Sequence, residues 1–199
     1  MSELFLTLVA ENGAIIVAAS AFLSCLLIPI PTALVMLAGG AFAAAGDLAL
    51  STVLVSAWLA ALFGDQTGYR IGRAFGPAIR AKFARRPKAE KAFARAEAMV
   101  QKHGGLGVFF STWALAPLGP YANIAAGAAG LDAWRFTLWD AAGEAIWVGA
   151  YVLLGYIFAS QLTEVSSLMS NIVGFVLALA ATGFVGWMLA KRFRAQSAA

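Results

Sequence analysis

Charge is what this 199-residue chain has least of: Asp, Glu, Lys and Arg make up 12% of it, about half the share that a water-facing domain carries. With 61% apolar residues and a mean hydropathy of +0.80, that shortage excludes a soluble globular enzyme. Cysteine is nearly absent. The single Cys25 has no partner for an intramolecular disulfide and no metal ligands near it in sequence, so it reads as a small packing residue. The one histidine, His103, precedes two glycines and reads as the end of a helix more than as a proton relay. No phosphate-binding loop, metal-ligand cluster or nucleophile–base constellation stands out, so no enzyme, metal or cofactor is expected. The N-terminus lacks a basic stretch and a cleavage pattern, and reads as a retained first helix.

What the chain does have is long runs free of charge. They cover 35 residues between Glu11 and Asp47, 29 between Lys102 and Asp132, 19 between Glu144 and Glu164, and 26 between Glu164 and Lys191. A bilayer-spanning helix takes about 20 apolar residues. The expected class is therefore an all-α integral membrane protein, one polytopic domain over 1–199. Ten of the 14 Lys and Arg residues fall between Arg70 and Lys102, so the net charge of +4 is a local cytoplasmic patch and not a nucleic-acid footprint.

Along the chain, residues 4–27 suit a spanning helix that Pro29 and Pro31 stop. Residues 28–47 are too short to span; with Ala38-Gly39-Gly40 at their middle they predict a re-entrant hairpin, which at membrane depth lines a cavity. A second span over 48–76 carries Gly64, Gly68, Gly72 and Gly76, a row that lets a neighbour approach its backbone. Asp65, Tyr69 and Arg73 form a polar ridge one position on. Residues 77–103 predict a basic amphipathic helix on the cytoplasmic surface, with Ala89, Phe93, Ala96, Met99 and Val100 on its apolar face and anionic lipid headgroups as partners. Residues 106–130 repeat the earlier pattern with Pro117-Leu118-Gly119-Pro120 and Ala126-Gly127, and predict a second hairpin. Spans over 133–158 and 170–190 follow. If the basic patch and the Lys191–Arg194 tail share one side, 106–130 makes no net crossing, and the two hairpins enter from opposite faces as in an inverted repeat. Pro29, Pro31, Pro117 and Pro120 shape these hairpins, and Gly39 and Gly127 mark their tips.

An ionisable residue at mid-membrane costs about 2.5 to 3.5 kcal/mol or more, so each one is a functional candidate. Asp140 and Glu144 are four apart on one helix face; two carboxylates so close disfavour joint ionisation and predict a site for a proton, a cation or a cationic headgroup. The plainer alternative is that one stays neutral while the other pairs with Arg70, Arg73 or Arg135. Asp65 and Tyr69 share a face with Arg73, and Arg70 and Arg73 are the candidates for a lipid phosphate. Trp113, Trp134 and Trp139 read as interfacial anchors.

Taken together, these residues resemble the DedA family, the bacterial branch of membrane proteins with a VTT (SNARE-associated Golgi) domain. The likeness is carried by Pro29-Ile30-Pro31, Ala38-Gly39, Gly64-Asp65 with Tyr69, Gly72, Arg73 and Gly76, and His103-Gly104-Gly105, then Pro117, Ala126-Gly127, Phe136, Gly143, Trp147 and Gly155-Tyr156. It implies a multi-pass protein of the bacterial inner membrane with cytoplasmic termini, and translocation of a lipid such as undecaprenyl phosphate or a phospholipid. Family members usually carry an acid where this chain has Thr32, arginines where it has Trp113 and Pro120, and Asn where it has Asp140. Arginine forks are natural phosphate ligands. A proton-coupled transporter of a small ion or solute, and a non-transporting assembly factor, stay open beside lipid translocation, as does an oligomer.

Overall fold

The structure is a computed structural model that describes residues 2–159, with side chains from residue 12 onward apart from Ala116. The expected span over 170–190 and the C-terminus lie outside the described residues. All regular structure among the described residues is helical: α1 (Ser2–Ser24), α2 (Thr32–Ala45), α3 (Leu50–Phe83), α4 (Pro87–His103), α5 (Gly105–Trp113), α6 (Gly119–Ala128) and α7 (Ala133–Ile157), with a 3-10 turn over Ala116–Leu118 before α6.

Prolines and glycines set the breaks. α1 runs out into Leu27, which takes a left-handed backbone (φ 64°), and the chain then passes through Pro29 and Pro31 before α2 begins. Between α5 and α6 the break is Pro117 in its 3-10 turn, and Pro120 then occupies the first turn of α6. Here prediction and structure differ. Gly39 and Gly127, expected at hairpin tips, lie inside α2 and α6, because glycine keeps its backbone donor and the helix continues through it. The turn after α2 falls at Gly46 (φ 87°), in a backbone region that favours glycine. α3 bends where Phe75 leaves helical geometry (φ −126°, ψ 18°), two residues before Pro77.

The helical glycines are crossing points. A Cβ on Gly40 of α2 would stand 2.0 Å from the Val152 carbonyl oxygen of α7, and one on Gly155 of α7 would stand 2.0 Å from the Leu37 carbonyl oxygen of α2. α6 meets α3 in the same way, through Gly127 against Tyr69 O at 2.0 Å and Gly72 against Ile124 O at 2.1 Å. The glycine row of α3 is thus divided: Gly64 faces the end of α1, and Gly68, Gly72 and Gly76 face α6. The short middle helix of each half packs on the long last helix of the other half.

The apolar side chains gather into two cores. One joins Val17, Ala21, Met36, Val53, Ala57, Ala61, Val148 and Val152; the other joins Tyr69, Phe93, Val100, Val108, Ile124 and Phe136. The expected surface helix belongs to the second. Phe93, Ala96 and Val100 of α4 are buried against the protein's own α5 and α6, not turned toward lipid, since the two short helices leave an apolar gap that this face fills. Its cationic face stays outside, and Arg80 at the end of α3 pairs with Glu97 and stacks over the Phe93 ring. Trp139, expected as an anchor, instead lies over the backbone of Gly105 and beside Phe109.

Outward faces are apolar. Ile15, Phe63, Phe75, Trp134 and Ile157 are each more than 60% exposed, an exterior that water would not tolerate on this scale. Yet no helix among the described residues is long and apolar enough to cross a membrane. In α3 the run is interrupted by Asp65 and Gln66, and in α7 by Asp140 and Glu144.

Candidate functional site: a buried carboxyl cluster

Both long helices carry their carboxyls where one core gives way to the other. On α3, Asp65 sits between Ala61 of the first core and Tyr69 of the second; on α7, Asp140 and Glu144 sit between Phe136 of the second core and Val148 of the first. Four-residue spacing keeps all of these on one stripe of their helix, turned inward. The three carboxyls therefore meet at the seam: Asp65 is 2% exposed, Asp140 0% and Glu144 4%. Asp65 is the centre, with Cys25, Asn123, Asp140 and Glu144 around it.

Their hydrogen bonding is sparse. Asn123 Nδ2 donates to Asp65 Oδ1. No donor among the described residues reaches Asp65 Oδ2, either oxygen of Asp140, Glu144 Oε2 or the amide oxygen of Asn123. The ion pair among the described residues is Arg80–Glu97, remote from the cluster. Ionised carboxylates buried without partners cost several kcal/mol each. The cluster is accordingly built to hold protons or to take a cation.

A cavity of about 270 Å³ opens beside it, lined by Cys25, Thr32, Asp65, Asn123 and Glu144 and by one proline of each break, Pro31 and Pro120. Thr32 donates to the Ser20 carbonyl at 3.2 Å, tying the start of α2 to α1. Two further bonds lace α3 to α7 along the same seam: Trp58 Nε1 to Ala141 O at 3.0 Å and Gln66 Nε2 to Thr137 Oγ1 at 2.7 Å.

The site residues expected from the sequence thus separate into two groups. Asp65, Asp140 and Glu144 come together. Arg70 is exposed, and Arg73 donates to Tyr69 Oη at 2.8 Å and to Leu131 O at 3.2 Å, while Tyr69 also donates to Leu131 O and stacks on Phe136 at 4.6 Å. Tyr69 and Arg73 therefore clamp α3 to the turn between α6 and α7. Arg135 is exposed too, its backbone N–H capped by Asp132, so the anticipated pairing of a carboxyl with Arg70, Arg73 or Arg135 is not made. Two participants were overlooked in the sequence. Asn123, a polar residue in an apolar stretch, carried a signal; Cys25, read as packing without ligand partners, has Asp65 and Glu144 within 4.8 Å, brought there by the fold.

Comparison with known proteins bears on the whole arrangement. Residues 28–157 match the VTT domain family. The chain is 29% identical to the uncharacterized membrane protein slr0232 of Synechocystis sp. over 174 residues, 83% of this chain and 79% of that one. It is 26% identical to protein DedA of Escherichia coli K12 over 201 aligned positions, 98% of this chain and 85% of DedA. No solved structure matches. The matched span runs from the first proline break to the end of α7 and so encloses both breaks, the carboxyls of the seam and the cavity lining named above except Cys25: the chain is a membrane protein of the DedA family, built on a VTT domain.

Proposed function

We propose that the protein is a lipid translocase of the bacterial inner membrane, not an enzyme, moving undecaprenyl phosphate or a phospholipid across the bilayer. The observation that carries this reading is the cavity that both proline breaks line, with Asp65, Asn123 and Glu144 in its wall, inside an apolar exterior. In this reading residues 28–47, which hold α2, and residues 106–130, which hold most of α5 and all of α6, are the opposed re-entrant segments of an inverted repeat, and a headgroup crosses along the seam while its chains stay in lipid. The cationic face of α4 and the end of α3 meet anionic headgroups on the cytoplasmic side. Trp113 and Pro120 stand where family members usually carry arginines, and no Lys or Arg lines the cavity, so a headgroup is held there by hydrogen bonds and by the charge state of the carboxyls. Reconstitution in vesicles with labelled polyprenyl phosphate and labelled phospholipids tests it. Transbilayer movement above that of empty vesicles is expected for at least one of the two; movement no faster than empty vesicles for both would sink the proposal.

The three clustered carboxyls favour a second reading, a proton-coupled transporter of a small ion or solute. It requires that Glu144→Gln abolish proton-linked uptake in a protein that still folds, and unchanged uptake in that variant counts against it.

A further inference from the structure

The cavity holds a donor set that lipid movement does not call for. Cys25 Sγ, an oxygen of Asp65 and an oxygen of Glu144 lie within 4.8 Å of one another, and all three residues are buried. Asn123 supplies the independent observation. Its side chain is 1% exposed, its Nδ2 donates to Asp65 Oδ1, and its Oδ1 receives no hydrogen bond. Turning the amide round would set Oδ1 against the Asp65 carboxylate and lose that bond, so the carboxylate itself selects the orientation. A neutral oxygen without a hydrogen-bond partner is left on a residue that lines the same cavity as Cys25, Asp65 and Glu144. Asp65 Oδ2 and Glu144 Oε2 lack a donor as well. Buried polar atoms are rarely orphaned, and here three are orphaned on Asp65, Asn123 and Glu144, residues of one cavity whose lining contains no Lys or Arg.

We propose that Cys25, Asp65, Asn123 and Glu144 bind one divalent transition-metal ion of the zinc class. The four donors come from the turn just after α1, from α3, from α6 and from α7, and so converge only in the folded chain. Magnesium and calcium take all-oxygen sets, whereas a thiolate beside carboxylates shifts the preference to Zn²⁺ and Co²⁺. Metal–sulfur and metal–oxygen bonds of about 2.3 Å and about 2.0–2.2 Å require the Cys25, Asp65 and Glu144 donors to draw in by about 1 Å. As the ion binds, the Cys25 thiol gives its proton to solvent and the thiolate becomes a ligand.

The full chain in detergent, stripped of metal by a chelator and titrated with Co²⁺, provides the test. One Co²⁺ per chain is expected, with a near-ultraviolet thiolate-to-cobalt band that one equivalent of Zn²⁺ abolishes. Cys25→Ser should lose the band and weaken binding by at least about tenfold. Glu144→Gln keeps the thiol and should weaken binding comparably, so a folding failure in one variant, seen by elution volume, leaves the other to decide. Absence of binding to the unaltered chain, binding without the band, or an unchanged titration in a folded variant overturns the proposal and leaves protons as the occupants. The readout involves no transport, so failure here and failure of the translocase reading are distinguishable.

Discussion

Glycine at a crossing and glycine elsewhere are different residues in energetic terms. At Gly72 a Cβ would stand 2.1 Å from the carbonyl oxygen of Ile124, and backbone cannot step aside as a side chain can. Gly72→Ala gains about 1 kcal/mol of helix propensity but forces α6 away, a cost of roughly 1–3 kcal/mol or more, so the net effect is destabilising. At Gly149 nothing lies within 4 Å of the added carbon, and alanine there should be neutral or should stabilise by up to about 1 kcal/mol. Thermal unfolding of the two variants in the same detergent checks the contrast; equal shifts would mean that the α3–α6 contact is not as close as described. Asp140 allows a similar test on polarity. With both oxygens lacking a donor at 0% exposure, Asp140→Asn removes a liability and should leave the melting temperature unchanged or raised, by the equivalent of about 1 kcal/mol. A fall of several degrees would show that the carboxyl is held by an interaction that asparagine cannot supply.

Among the elements, α4 is where sequence and structure diverge most usefully. Its apolar positions were legible as a helical face, but periodicity says only that such a face is covered, not by what. The protein itself covers it, and Phe93→Ala should therefore cost about 3–5 kcal/mol, as for a core aromatic, measured by thermal unfolding. Glu97→Gln, which breaks the pair with an Arg80 side chain 60% exposed, should cost less than about 1 kcal/mol. A lipid-facing α4 would reverse the order of those two effects. Much else could be read directly: all-helical structure, the proline breaks, the glycine row of α3, and the carboxyls as the residues to watch. Each of these is a local signal. The misplaced hairpin tips and the neglect of Cys25 and Asn123 share one cause, that what decides them lies far along the chain. Gly127 is explained by the Tyr69 carbonyl, Asn123 by a carboxylate 58 residues away, and Cys25 by Asp65 and Glu144 together.

For the molecule as a whole, the governing fact is that its two halves hold each other. α2 rests on α7 and α6 on α3, so the backbone-to-backbone crossings at Gly40, Gly155, Gly72 and Gly127 all join one half to the other. Expressed separately, residues 1–103 and 104–199 should each be unstable in detergent, and expressed together they should restore the elution profile of the intact chain. Two fragments that fold independently would contradict the crosswise packing. There is a consequence for biogenesis. Gly40 leaves the ribosome 112 residues before the Val152 it must touch, an interval on the order of ten seconds at about 5–20 residues per second. Throughout it, the face of α2 shaped for another backbone has no α7 to cover it, so this crossing forms late, only once the seventh helix has been made.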